Sequence, residues 1–163
     1  MIPRDSENNP LLQSIAANLR LHRARLGLNQ TEFGKLIKMS QTGVSKMEKA
    51  SYAPTLYQIY RICRGLNISV AALLGVKSSA PAPKSYKDFR VKFSRRLRDA
   101  RESRELTQLE LSEKVGMKQP TYNKIEKCAK SRFNPDRILA PDLETITHIA
   151  RAMKMEPVAL LID

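Results

Sequence analysis

The feature of this sequence that most constrains its fold is an internal repeat. Shifting the chain by 78 positions places residues 19–50 on residues 97–128, with 11 identical pairs among 32 and no gap. Further along, the offset becomes 87, because the second copy carries nine additional residues within 128–139. A pattern written twice in one chain predicts two copies of one folded unit.

The two copies are separated by a stretch that reads KSSAPAPK, at residues 77–84. This stretch has no apolar periodicity and contains two prolines, which is typical of a semi-extended linker. We therefore predict an N-terminal arm over 1–10, a first domain over 11–76 and a second domain over 85–163. The second domain is expected to carry an insertion at about 128–139.

Both halves of the chain are basic. The whole sequence has 29 Lys and Arg against 16 Asp and Glu, a formal net charge of +13. Ten basic and four acidic residues give +6 for 1–76, and 19 basic and 12 acidic residues give +7 for 77–163. Such an excess indicates a polyanionic partner, with nucleic acid first and an anionic membrane surface second.

The membrane alternative is the weaker one. The longest nearly apolar run covers only residues 68–76, whereas a membrane-spanning helix needs about 20 apolar residues. The first ten residues, MIPRDSENNP, include two acidic side chains and no apolar core, unlike a signal peptide. We therefore expect no membrane association and a cytoplasmic protein, held at the nucleoid through DNA binding.

Nothing in the sequence indicates an enzyme, a metal or a cofactor. Cys63 and Cys128 lie 65 positions apart with no CxxC or neighbouring His, so they are predicted to be ordinary thiols of a reducing compartment. His22 and His148 lack metal-ligand spacing, and no P-loop, nucleophile elbow or carboxylate cluster is present. We predict no catalytic residues, no metal, no cofactor and no small-molecule substrate.

The apolar spacing is helical in both copies and predicts an all-α fold. Asn9-Pro10 is expected to start a first helix. Asn29 precedes Glu32 by three residues, and Thr107 precedes Glu110 likewise, which predicts capping boxes and second helices that begin at Gln30 and Gln108.

Three further helices are predicted in each copy. Ser40 can cap a third helix that begins at Gln41, whereas its counterpart Lys118 is a poor cap. Fourth helices are expected at roughly 55–65 and 142–153, and short fifth helices after Ser69 and after Glu156-Pro157. Only about three residues separate the second helix from the third, which forces the sharp crossing of a helix-turn-helix.

The segments NQTEFGKLIKMSQTGVSKMEKA and TQLELSEKVGMKQPTYNKIEKC resemble the Cro/phage-repressor type of helix-turn-helix, also described as lambda-repressor-like or XRE-type. Its usual pattern is T-Q-x-x-L-A-x-x-x-G-(V/M)-x-x-x-x-(I/V)-x-x-x-E. The resemblance implies two tandem five-helix lambda-repressor-like domains, and a transcription regulator that binds double-stranded operator DNA.

In that family the third helix enters the major groove, while the start of the second helix faces phosphate. The positions that the resemblance assigns to base contacts are Gln41, Thr42, Ser45, Lys46, Gln119, Pro120, Thr121, Asn123 and Lys124. The phosphate candidates, taken from the resemblance and from basic charge, are Asn29, Gln30, Lys49, Thr107, Gln108, Lys127, Lys130 and Arg132. Their chemistry agrees, because Gln and Asn pair with adenine and Lys donates to guanine in the major groove.

Two repeated charge pairs have a different expected role. Arg23/Glu48 and Arg101/Glu126 resemble the ion pair that ties the first helix of the family to the end of the third. Two departures from the family pattern concern the fold: Lys38 stands where glycine is usual in the turn, and Tyr122 where a core Ile or Val is usual.

Two functions remain open from the sequence. The leading one is a repressor that reads operator DNA with both third helices; the other is a protein-interaction module of the antitoxin or antirepressor type, with DNA binding secondary or limited to one module. RNA binding is less favoured, because only 6% of the residues are aromatic. The sequence leaves open whether one chain covers two half-sites or a homodimer covers four.

Overall fold

A computed structural model describes residues 9–127 and 140–162 of the chain. In these residues the chain forms ten helices and no strand. The helices of the first module are α1 (Pro10–Arg25), α2 (Gln30–Ile37), α3 (Gln41–Glu48), α4 (Leu56–Leu66) and α5 (Val70–Leu73). Those of the second module are α6 (Tyr86–Glu102), α7 (Gln108–Val115), α8 (Gln119–Glu126), α9 (Leu143–Ala152) and α10 (Val158–Leu161). The predicted all-α class with two five-helix modules is confirmed.

The helices begin where side chains satisfy their first amide groups. Asn29 accepts hydrogen bonds from the backbone N–H of Thr31 and Glu32, and the Glu32 side chain accepts one from the Asn29 backbone. Thr107 and Glu110 form the same capping box before α7. Both predicted starts, at Gln30 and Gln108, are confirmed, because these caps satisfy amides that have no partner inside the helix.

The third helices differ in how they are capped. The Ser40 side chain accepts from the Gly43 amide at 3.1 Å and caps α3 as predicted. Lys118 precedes α8 without a side-chain cap. Proline at the second position of α8 suits this first turn, because a proline there gives up no intrahelical hydrogen bond.

The buried apolar residues of the two modules form one continuous core, and each module contributes part of it beneath its helix-turn-helix. In the first, Leu19 of α1, Phe33 of α2 and Val44 of α3 are fully buried. In the second, Phe93 of α6 is fully buried, and so is Tyr122 of α8. These contacts hold the second and third helices at a fixed crossing, so the exposed face of α3 or α8 is presented by a rigid support.

The turn between α2 and α3 passes through left-handed backbone at Lys38. Its φ is 54° and its ψ 52°, close to Gly116 in the second module, with φ 72° and ψ 30°. A side chain in this region costs about 1–2 kcal/mol, a penalty that glycine escapes. Lysine in place of the usual glycine therefore leaves the shape of the turn intact, but it strains the backbone of the first module at this position.

Replacing Lys38 by glycine is expected to raise the free energy of unfolding by about 0.5–1 kcal/mol, since relief of strain is partly offset by the entropy of glycine in the unfolded chain. Chemical denaturation followed by helical circular dichroism measures this change. Gly116→Lys is the matched control and should lower the free energy of unfolding. A Cβ at Gly116 meets no atom within 4 Å, so only backbone conformation is tested there. Opposite signs for both variants would contradict the strain at this turn.

The two modules pack against each other through equivalent segments. The Leu56 amide donates to the Pro141 carbonyl at 2.9 Å, and the Leu143 amide donates to the Pro54 carbonyl at 2.9 Å. The two bonds flank Thr55 and Asp142, which are the paired residues of an isolated antiparallel β-bridge. Residues 54–56 correspond to 141–143 under the offset of 87, so each bond is the counterpart of the other.

Further contacts between the modules surround this bridge. The helices α5 and α10, which are equivalent, lie against one another. The Asn9 side chain donates to the hydroxyl of Thr147 at 3.1 Å, which joins the start of α1 to α9. The ring of Tyr86, at the start of α6, packs on Tyr57 and Tyr60 of α4, with ring centroids 4.8 and 5.5 Å away. The linker is thus one of several connections between the modules.

Candidate nucleic-acid interface

The outward face of α3 carries the residues that the sequence assigned to base contacts. Gln41, Thr42 and Lys46 are exposed, and Ser45 is half-buried. The opposite face of the helix is buried and ends in Glu48. A helix held in this way has one polar face available to a ligand, and that face begins at the α3 N-terminus.

A continuous chain of hydrogen bonds leads from the core to Gln41. Arg23 donates to both oxygens of Glu48, at 2.6 Å from Nε and 3.1 Å from Nη2. Gln30 Nε2 donates to Glu48 Oε2 at 2.9 Å, and Gln30 Oε1 accepts from Gln41 Nε2 at 2.9 Å. Because a carboxylate only accepts, Glu48 sets the orientation of the Gln30 amide, and Gln30 sets that of Gln41.

This order leaves a defined pair of groups at the tip of α3. Gln41 Nε2 has a second hydrogen, and Gln41 Oε1 accepts no side-chain hydrogen bond from the residues the structure describes. A donor beside an acceptor matches the N7 and N6 positions of adenine in the major groove. The arrangement can therefore read a base edge with little loss of side-chain freedom.

The second module builds a similar centre around Glu126. Arg101 donates to both of its oxygens at 2.8 and 2.9 Å, and Gln108 Nε2 donates to Oε1 at 3.0 Å. The hydroxyl of Tyr122 donates to Oε2 at 2.7 Å. The unusual core residue Tyr122 is therefore a fourth hydrogen-bonded element of this centre, and its buried hydroxyl is satisfied.

The exposed tip of α8 differs from that of α3. Gln119, Pro120, Thr121 and Lys124 are exposed, but Gln119 makes no side-chain hydrogen bond to other described residues. Asn123 is half-buried, and its Oδ1 has no hydrogen-bond partner there. The two candidate recognition helices thus present different chemistry.

The phosphate candidates lie at helix ends. Asn29 and Thr107 are exposed, but their side-chain oxygens already accept from helix amides. Gln30 and Gln108 are half-buried through their bonds to the carboxylates. Lys49 and Lys127 are exposed immediately after α3 and α8. Lys130 and Arg132, with the rest of the insertion and Cys128, lie outside the described residues.

Two arginines at the edge of this surface were not singled out by the sequence. Arg20 donates through Nη1 to the Glu48 backbone carbonyl. Its counterpart Arg98 has a half-exposed side chain, and its Nε lies 3.7 Å from Glu126 Oε1. Their identity in the two copies was the available signal, but a basic residue on a helix face is usually only solvated.

The Glu126 carboxylate is ionised at low pH. Burial alone would raise its pKa, but hydrogen bonds from Arg101, Gln108 and Tyr122 more than offset burial and lower the pKa from 4.5 to about 2. The same competition lowers the pKa of Glu48, where burial is outweighed by the bonds from Arg23 and Gln30. Each carboxylate thus stabilises the folded state in its charged form.

A lowered folded-state pKa predicts acid sensitivity. Glu126 contributes its full stabilisation above about pH 4.5, and loses it as the pH falls toward 2, because the unfolded chain binds the proton first. The contribution is about 3 kcal/mol at most. We expect the stability difference between the wild-type chain and Glu126→Gln to shrink across this window in urea titrations. A difference independent of pH would contradict the assignment.

The described residues offer few other sites. They contain no group of three or more His, Cys, Asp or Glu side chains that could hold a metal ion. Cys63 is buried and free, and burial raises the pKa of its thiol to about 12. Within residues 9–127 and 140–162, no helix is both long and apolar enough to cross a membrane.

The chain is similar in sequence to a known helix-turn-helix family. The helix-turn-helix family model HTH_3 matches residues 19–73 and 97–140, more than half of the chain. No curated protein matches. The crystal structure of an HTH_3 family transcriptional regulator from Vibrio cholerae matches with 20% sequence identity and a TM-score of 0.38. The match covers 50% of this chain and 42% of the Vibrio cholerae chain. On the strength of the doubled family match, the chain belongs to the HTH_3 helix-turn-helix family of DNA-binding regulators.

Proposed function

We propose that this protein is a sequence-specific regulator of transcription that binds double-stranded operator DNA through α3 and α8. The observation that carries the proposal is the chain of hydrogen bonds from Arg23 through Glu48 and Gln30 to Gln41. It holds an exposed amide at the first position of a helix whose width fits the major groove.

The surroundings of this amide supply affinity without sequence preference. Lys46 and Lys49 are exposed on or directly after α3, and Lys124 and Lys127 occupy the same places in the second module. The net charge of +13 attracts any duplex. Base preference then depends on the neutral side chains at the start of each helix, and a chain bound across an operator represses by blocking polymerase.

The proposal is tested by band shifts on a random duplex, followed by selection of preferred sites. Binding should weaken with salt at a slope near −0.9 for each phosphate contact in a plot of log affinity against log salt. Binding that is absent, or independent of salt, would reject the proposal and favour a protein-interaction module.

Gln41→Ala is expected to relax the preference at one base pair of one half-site, because a bidentate pair contributes about 1–3 kcal/mol of discrimination. Affinity for sequences already mismatched at that position should change little. The measurement is binding to the selected duplex and to its single-base variants.

Lys49→Ala is the control. Loss of a phosphate contact should weaken binding to all sequences alike and reduce the salt slope by about one unit. If Gln41→Ala and Lys49→Ala both weakened every sequence equally, the assignment of α3 to base contact would be wrong.

A further inference from the structure

The contacts between the two modules are reciprocal, as they are at an interface between two identical subunits. The Leu56 amide bonds to the Pro141 carbonyl, and the equivalent Leu143 amide bonds to the equivalent Pro54 carbonyl, both at 2.9 Å. When residue i contacts j and the counterpart of j contacts the counterpart of i, the two units are related by a twofold axis. Such an axis passes between Thr55 and Asp142.

The contacts away from this bridge follow the same axis. The equivalent helices α5 and α10 meet each other. The start of α1 touches α9 through Asn9 and Thr147, while the start of α6 touches α4 through Tyr86 and Tyr60. Thr147 and Tyr60 are equivalent under the offset of 87, so the two contacts are related although their chemistry differs.

The interface is also well buried at its centre. Pro54 and Pro141 are both buried, as are Leu56 and Leu143, and each backbone bond joins residues more than 80 positions apart. Asn9 and Thr147 are 4% and 3% exposed, with the hydrogen bond between them. The relative placement of the modules is therefore fixed by packing, whereas a chain of independent domains would depend on its linker alone.

We infer that a single chain is a built-in pseudodimer that binds one inverted repeat with two unequal half-sites. A twofold axis exchanges α3 with α8 and reverses the direction in which they read DNA, so the paired half-sites are inverted. A direct repeat would require a translation. The half-sites are unequal because Gln41 is held by Gln30, while Gln119 lacks this bond and is followed by Pro120.

This inference rests on the proposed function and is tested with the full chain on DNA. Sites are selected from a random 40-base-pair duplex library, and the two half-sites are then rebuilt as inverted, direct and single arrangements. We expect the inverted arrangement to bind at least tenfold more tightly than the direct one. Native mass spectrometry should find one chain on each inverted duplex.

Spacing provides a second readout. Ten base pairs added between the half-sites keep both on the same face of the DNA but increase the distance between them by about 34–36 Å. A rigid pair should then bind no more tightly than it binds a single half-site. Ten Gly and Ser residues inserted after the exposed Ser79 should leave the preferred spacing unchanged.

The possible outcomes separate the two claims. A preferred direct repeat, two chains on each duplex, or tolerance of many spacings would overturn the pseudodimer and leave the DNA-binding function standing. Recovery of no duplex from the library would reject both claims. One chain on an inverted repeat of fixed spacing, with or without the longer linker, would support both.

Discussion

Arg101→Ala is expected to lower the free energy of unfolding of the second module by about 3–5 kcal/mol, because it leaves a buried carboxylate without its charged partner. The Arg101 side chain is 10% exposed and that of Glu126 2%. Arg101 also donates to the Leu106 carbonyl at 2.8 Å, so it closes the loop between α6 and α7. Urea denaturation followed by circular dichroism measures the loss.

The same carboxylate provides a matched control. Arg98 lies 3.7 Å from Glu126, but its side chain is 49% exposed. We expect Arg98→Ala to cost no more than about 0.5 kcal/mol, as is usual for exposed ion pairs. Equal losses from Arg98→Ala and Arg101→Ala would contradict the argument from burial.

The equivalent pair in the first module should respond less strongly. The Arg23 side chain is 25% exposed, so water replaces part of the lost interaction in Arg23→Ala. Glu48→Gln should weaken DNA binding by loosening the fold. A Glu48→Gln protein that melted normally yet failed to bind DNA would show instead that Glu48 acts by orienting the amides of Gln30 and Gln41.

Placing one glutamate on a recognition helix is expected to lower affinity for the full operator by 100-fold or more. Thr42→Glu and Pro120→Glu occupy the same motif position in α3 and α8, and both residues are exposed. Either variant removes one half-site, and loss of a linked second binding event typically costs about 10²–10⁴ in affinity. The fold should persist, since a glutamate near a helix N-terminus is favourable.

Charge alone is controlled by Ser79→Glu in the exposed linker, which should alter affinity only slightly. Titration of the operator with each protein gives the comparison. The double variant Thr42→Glu, Pro120→Glu should bind the operator no better than a random duplex. If Ser79→Glu weakened binding as much as Thr42→Glu, the loss would reflect net charge and would argue against insertion of α3.

Much of the fold could be predicted because its signals are local. The Asn29–Glu32 and Thr107–Glu110 boxes mark helix starts within three residues, and the backbone of α2 and α7 follows them. The turn at Lys38 is less obvious, since lysine disfavours the left-handed backbone that packing imposes there. Tyr122 is also only partly explained by the sequence. A tyrosine departs from the Ile or Val that is usual at this core position, but only the packing of α8 brings its hydroxyl to Glu126.

The candidate site was partly predictable for the same reason. The repeat and the family resemblance indicated Gln30 for phosphate contact, Gln41 for base contact and Glu48 for an ion pair with Arg23, but not the hydrogen bonds that join them. Their order along the hydrogen-bond chain depends on how α1, α2 and α3 cross. Arg20 and Arg98 were missed, because their value depends on their position beside the ends of α3 and α8.

The sequence by itself determined that this protein consists of two versions of one helical module, since capping, apolar spacing and repetition are properties of neighbouring residues. The tertiary structure alone decided how the versions face each other. The bonds of Leu56 with Pro141 and of Asn9 with Thr147 join residues 85 and 138 positions apart. No short-range pattern encodes such pairs; they form because folding brings two complementary surfaces together.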